Sequence, residues 1–271
     1  MKAVVASLFL IACGPSRGNG GVDGRTGGAD TSGSGDTGSY LVYAHSDTVL
    51  YTIDLHTQAL VTVGKFLAPA NDPITDLAVA PDGTIYVISE TALYSATASD
   101  GHVTKLGSLS TCGTKGVALT TTSDGRLWMG DFMGAICQID ISHAPPTVKS
   151  PIMMSGGMAL AGDIVGIGDG TVFGTAYKIG DAASQNNNVL VKVDVATGAV
   201  TSLGPSGFPK LFGVSFQEDK VFGFTHDGTG RVITIDTTTG AGTMYGTFMD
   251  PMTSQGIAFS GAGVNSLIVI Q

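Results

Sequence analysis

Five segments of the chain are variants of one unit: LYTIDLHTQ (50–58), LYSATASDG (93–101), ICQIDISHA (136–144), LVKVDVATG (190–198) and VITIDTTTG (232–240). Their fifth positions, Asp54, Thr97, Asp140, Asp194 and Asp236, lie 43, 43, 54 and 42 residues apart. A period near 43, built from short apolar strands and glycine-rich turns, is that of a four-stranded sheet repeated around an axis, the blade of a β-propeller. A second marker keeps the same period. DLAV (76–79), GVAL (116–119), GMAL (157–160), GVSF (213–216) and GIAF (256–259) each place small and apolar residues together, as an innermost strand crowded at the axis requires.

Turn signals follow the inner strands at Pro81-Asp82-Gly83, Ser123-Asp124-Gly125, Asp169-Gly170 and Gln217-Glu218-Asp219. Each leads into a second strand such as TIYVIS, RLWMGD, TVFGTA or KVFGFT. The third strand is the repeated unit, and its terminal Asp supports the turn into a fourth strand. Alternation within the third strand is regular: Val49, Tyr51 and Ile53 share one face, Thr52 and Asp54 the other. The predicted fold is therefore all-β, a single five-bladed propeller over 40–271. Four blades are complete, and the fifth is assembled from both ends, with 256–270 supplying inner-strand character and 40–66 the remainder. Residues 40–44 and 266–270 compete for one strand position in that blade. Closing the ring hides the edges that an open sheet would expose.

Composition narrows the partners. The chain has 40 Gly and only 13% charged residues, and its net charge is −9 with 13 Lys and Arg. No basic surface is left to neutralise a phosphate backbone, which excludes nucleic acid as a partner. No run of about 18 apolar residues exists to span a bilayer as a helix.

Residues 1–12 carry one Lys and then an apolar stretch from Ala3 to Ala12, the pattern of an export signal. Leu10-Ile11-Ala12-Cys13 resembles the lipobox of bacterial lipoproteins, which implies cleavage before Cys13 and a diacylglycerol on its thiol. Gly14 follows where inner-membrane lipoproteins often carry Asp, so the resemblance implies a lipid-anchored protein of the cell envelope at the outer membrane. Residues 13–39 have nothing to bury and read as a flexible tether, with a reach of about 25–30 Å. The repeats themselves resemble bacterial YVTN and quinoprotein-like propeller repeats, a resemblance of repeat grammar that accompanies many activities.

The loops between second and third strands share a face with the linkers between blades. They carry His45, Asp47, Glu90, Asp131, Asp181, His226 and Asp227, and the inner strand at Asp76 begins on the same face. Two readings stand. The residues form a carboxylate/His ring at the channel mouth, serving a hydrolase, lactonase or lyase and admitting calcium, or they are polar because tight turns favour them. No other cofactor is expected. The third complete blade is about a dozen residues longer than its neighbours, partly through KIGDAASQNNN (178–188). There Asn186, Asn187 and Asn188 are candidates to bond a sugar or peptide, against the alternative of an uncharged disordered loop. Cys112 and Cys137 are an even pair in an oxidising setting, suited to a disulfide, although Cys137 also fits as a buried apolar residue. Trp128 and Met153, Met154 and Met158 are expected to fill gaps between blades.

No Ser-His-Asp order, P-loop or dinucleotide fingerprint is present. The reading this favours is a membrane-anchored binding or scaffold module for an envelope protein, peptide or glycan. The alternative is the propeller enzyme using the carboxylate/His ring.

Overall fold

The computed structural model describes residues 41–67, 72–109, 112–113 and 115–265. The leader 1–12, Cys13 with the tether 13–39, and the candidate strand 266–270 lie outside the described residues. In chain order, β1 (Leu41–His45), β2 (Val49–Asp54) and β3 (Ala59–Lys65) are three strands of the closing blade. The second blade is β4 (Ile74–Val79), β5 (Ile85–Ser89), β6 (Ala92–Ala96) and β7 (Val103–Ser108). The third is β8 (Gly116–Thr121), β9 (Leu127–Asp131) and β10 (Ala135–Asp140), with its outer strand split into β11 (Thr147–Val148) and β12 (Ile152–Met153). The fourth is β13 (Met158–Gly166), β14 (Val172–Lys178), β15 (Val189–Val193) and β16 (Val200–Pro205). The fifth is β17 (Leu211–Gln217), β18 (Lys220–Thr225), β19 (Arg231–Ile235) and β20 (Gly242–Thr247). Finally β21 (Gly261–Gly263) returns to pair with β1, so the closing blade runs β21-β1-β2-β3 and the five-bladed ring is complete.

Strand alternation decides where the core lies. Within β9, Leu127 and Met129 pack toward the second blade, while Trp128 between them packs toward the fourth. Each blade thus buries both of its faces, and the described core divides into five clusters, one at each junction between neighbours. The cluster between the closing and fifth blades holds Val42, Tyr51, Ile53, Phe224, Phe248 and Phe259.

Two local devices explain the repeat. The Asp that ends the third strand accepts backbone N–H groups two and three residues on: Asp54 from His56 and Thr57, Asp194 from Ala196 and Thr197, Asp236 from Thr238 and Thr239. The turn at this place, begun by Thr97 rather than Asp in the second blade, lies against the fourth strand of the preceding blade, where glycine makes room. A Cβ at Gly64 would overlap the Asp100 carbonyl, and one at Gly204 the Thr239 carbonyl. In the closing blade Gln58 reaches toward Gly246 of the fifth, which continues the same contact across the seam.

Two boundaries differ from those the sequence suggested. The inner strand of the closing blade is Gly261–Gly263 rather than GIAF, because 256–260 is held in a looser path by Ile257 N to Phe248 O, Phe259 N to Thr225 O and Ser260 N to His45 O. In the fourth blade GMAL is only the start of a nine-residue strand, so part of the extra length sits in the inner strand itself.

Candidate functional site

An innermost strand pairs along one edge only, and its other edge presents backbone N–H and C=O groups to the axis. Counting outward through the ladders, Leu77, Leu119, Ile164, Val214 and Ala262 occupy one equivalent position in the five blades: their cross-strand partners are Val87, Met129, Gly174, Gly223 and Ala44. All five of their N–H groups point to the axis, and two carboxylates take all five. Asp76 Oδ1 accepts from Leu77 N at 2.8 Å and Oδ2 from Leu119 N at 2.6 Å. Asp163 Oδ1 accepts from Ile164 N at 2.6 Å, while its Oδ2 accepts from Val214 N at 2.8 Å and Ala262 N at 3.1 Å. Asp76 therefore ties the second and third blades, and Asp163 ties the fourth, fifth and closing blades.

Both carboxyl groups are fully buried and hydrogen-bond to each other. Burial, reinforced by the charge of Asp163, holds Asp76 well above the usual carboxylate range. Burial likewise raises Asp163 to about 8, although its three N–H donors pull the other way. The pair keeps a proton at neutral pH, because two adjacent carboxylates buried together repel one another and one of them takes a proton instead.

His45 ends β1 beside this pair. Its Nδ1 donates to the Ser46 carbonyl at 2.8 Å, which leaves Nε2 as the lone-pair nitrogen of the neutral ring. Nε2 is buried with no hydrogen-bond partner and stands 4.0 Å from Asp76 Oδ1. Desolvation lowers the imidazole to about 4, so His45 is neutral at pH 7. Gly261 lies between the two side chains, where a Cβ would collide with both.

Further out, Ser260 Oγ donates to Asp47 Oδ1 at 2.6 Å and lies 3.4 Å from His226 Nδ1. His226 donates that nitrogen's proton to the Phe259 carbonyl at 3.0 Å and stacks on Phe212. Ser, His and Asp meet here without forming a relay: the serine proton goes to the aspartate, and the imidazole nitrogen nearest it is occupied by backbone.

The remaining sequence candidates are turn and cap residues. Glu90 pairs with Lys115 at 2.6 Å on the surface. Asp131 Oδ1 accepts from Met133 N and Ala135 N, holding the β9–β10 turn. Asp181 caps α1 (Ala182–Asn186) through Ala183 N, and Asp227 binds Thr229 N and Arg231. The 178–188 loop is ordered rather than free. Asn187 Oδ1 accepts from Gly207 N, and buried Asn188 bonds Leu211 N and the Gln185 carbonyl. Asn186 bonds the Ala182 carbonyl within α1. Cys112 and Cys137 form a disulfide between the linker into the third blade and its third strand. Trp128 and Met154 are buried, whereas Met153 is 58% exposed and fills no gap. Among the described residues no three His, Cys, Asp or Glu side chains are arranged to hold a metal ion.

The mouth-side ring is thus two layers, a closed axial lock of Asp76, Asp163 and His45 beneath an open polar rim. Asp163 had a readable signal that alignment on GMAL concealed: Asp163-Ile164 stands in the repeat where Asp76-Leu77 stands.

Neither a protein-family model nor a curated protein matches the sequence. Among solved structures, a chain in a nidogen/laminin complex is similar at 13% identity, with 82% of this chain and 97% of that one covered and a TM-score of 0.51. Virginiamycin B lyase from Staphylococcus aureus is similar at 15% identity over 77% of this chain, with a TM-score of 0.43, and the chain spans 65% of that enzyme's length. A PQQ-bound aldose sugar dehydrogenase from Streptomyces coelicolor aligns at 13% identity over 62% of this chain and 60% of its own, with a TM-score of 0.44. At these identities the likeness is one of fold: the chain is a β-propeller.

Proposed function

We propose that this protein is a lipid-anchored binding module of the cell envelope whose mouth face docks a partner protein, without turnover. The observation that carries the reading is where the exposed apolar side chains lie. Phe132 and Met133 stand on the β9–β10 loop, Met153 and Ile179 beside it, and Leu67, Met249 and Met252 on the linkers that flank the closing blade. All belong to the mouth face, with Met133 51% and Met252 71% exposed. Among the described residues these are seven of the eleven exposed large apolar side chains, the others being Leu41, Val61, Leu106 and Met244, and such a concentration on one face favours an interaction surface there. Methionine thioethers adapt to varied partner shapes. The polar groups that an enzyme would use are, by contrast, spent on the fold: the axial carboxylates on backbone N–H groups, and Glu90, Asp131, Asp181 and Asp227 on surface pairs, turns and caps.

The connection to the anchor fits this reading. Leu41 is at the end of β1 opposite His45, paired with Asp54, so the chain enters β1 on the face away from the mouth. The test compares partner recovery from native envelopes for Met133→Lys with Met252→Lys against the rim control Val61→Lys with Met244→Lys. The reading expects loss only for the mouth pair, with all proteins equally stable. Equal recovery from both, or a hydrolytic activity abolished by Ser260→Ala, would replace it.

A further inference from the structure

The closure of the ring rests on an uneven foundation. β21 is three residues long and is the inner strand of its blade, where β4, β8, β13 and β17 have six, six, nine and seven. It pairs with β1 on one side only, through Tyr43, Ala44 and His45. On its axial side, Ala262 N is held by Asp163 Oδ2 across 99 residues of sequence. The same oxygen holds Val214 N, so one carboxylate binds the closing strand to the fifth blade. The short closing strand is therefore fastened to the axis by a group that shares its environment, and its proton, with Asp76.

We propose that the Asp76–Asp163 pair is a proton-linked latch on the seam of the propeller, holding β21 against the axis while the pair keeps its proton and releasing it when Asp163 becomes hydrated and ionised. The linkage follows from burial. In the closed ring Asp163 is fully buried against a second carboxyl group, whereas in a ring opened at the seam it is hydrated and loses its proton more readily. The open state thus binds fewer protons, and opening becomes easier as pH rises. For one proton the open fraction increases about tenfold per pH unit, up to the point where the closed pair also ionises, near 8.

The groups facing the pair set the usable window. β1 contributes His45, whose imidazole is near 4 when closed; its release to the ordinary value opposes the latch only below about 6.5. Asp47 and His226 act on His45 from the outer rim. β8, β17 and β21 place Ala118, Gly213 and Gly261 at the positions equivalent to Asp76 and Asp163 and add no charge. The turn carboxylates Asp54, Asp140, Asp194 and Asp236 are all lowered by hydrogen bonds, so any opening that freed them becomes harder as pH rises through the acidic range below the ordinary carboxylate value and is level above it. Between about 6.5 and 8 these groups are level, and the axial pair makes opening easier as pH rises.

The test is native-state hydrogen exchange on the oxidised protein between pH 6 and 9.5, expressed as protection factors so that the intrinsic base catalysis of exchange is removed. Protection at Tyr43, His45, Gly261 and Gly263 is expected to fall about tenfold per pH unit from 6.5 to about 8 and then level off. Amides of β9 and β10, in a blade without the seam, are expected to change less. Asp163→Asn, or Asp163→Ser should the first not fold, is expected to flatten the seam profile. Seam protection independent of pH, a slope retained in the folded Asp163 variant, or the same slope in every blade would each overturn the latch.

Discussion

Replacing Asp163 by Ala removes an acceptor without creating a steric problem, because Ala118 already occupies the equivalent position in the third blade. What changes is hydrogen bonding: Ile164 N, Val214 N and Ala262 N lose their partner in a buried channel. A buried donor left unsatisfied costs about 1–3 kcal/mol, so three give roughly 3–9 kcal/mol. The equivalent change at Asp76 orphans two donors, Leu77 N and Leu119 N, for roughly 2–6 kcal/mol. Water entering the channel and the removal of a carboxyl that must stay protonated both lower these figures, and they do so for both variants. The total stability of a domain is about 5–15 kcal/mol, so Asp163→Ala is expected to leave a marginal fold. Urea unfolding followed by the fluorescence of Trp128, the chain's one tryptophan and a buried one, reads the loss directly. Measured at pH 5, well below the range in which Asp163 ionises in the closed ring, the order should be wild type, then Asp76→Ala, then Asp163→Ala. A loss below about 1 kcal/mol for Asp163→Ala, or the reverse order of the two variants, would refute the lock.

Other outcomes follow from the same geometry. Global stability should decline as pH rises from about 6.5 to 8, since Asp163 is raised from 3.8 to about 8 and its contribution is fully present below the unfolded value; calorimetry showing a rise across that window would contradict it. Reduction of Cys112–Cys137, which closes 25 residues, should cost about 2–4 kcal/mol in urea unfolding, and an unchanged midpoint would show that the bridge adds nothing. Asn188→Ala should cost about 1–3 kcal/mol by orphaning Leu211 N, with the loss visible in the same unfolding curve. Cys13→Ser should move the protein from the membrane to the soluble fraction, and unchanged partition with no acyl mass on the mature chain would remove the anchor from the account.

The blades were legible because a chemical device marks them: the Asp ending four of the five third strands, Asp54 or Asp236 for example, must stand where its carboxylate can catch the next turn. The inward position was harder to see. β13 uses one residue more between Leu160 and Ile164 than β17 uses between Leu211 and Val214, so a fixed pattern of small and apolar residues slipped and hid Asp163. GIAF misled for a related reason, since its residues cross from the fifth blade, with Ile257 and Phe259 packed between the fifth and closing blades, before the chain reaches the axis at Gly261. The polar loop residues gave the face but not the roles, because an Asp that caps a turn and an Asp that meets a ligand read alike in one sequence. A clue left unread is the glycine near the end of the fourth strands, Gly64, Gly107, Gly204 and Gly246, each admitting a close neighbour.

The docking claim is tested most directly by oxidative footprinting of methionines on the protein in its native envelope, compared with the purified protein. Met133, Met153, Met249 and Met252 are exposed on the mouth face, and Met244 on the outer strand β20 is 44% exposed and serves as an internal control. The account predicts that the mouth methionines are protected in the envelope while Met244 oxidises at its free rate. Equal reactivity of all five in both settings, or protection confined to Met244, would contradict it.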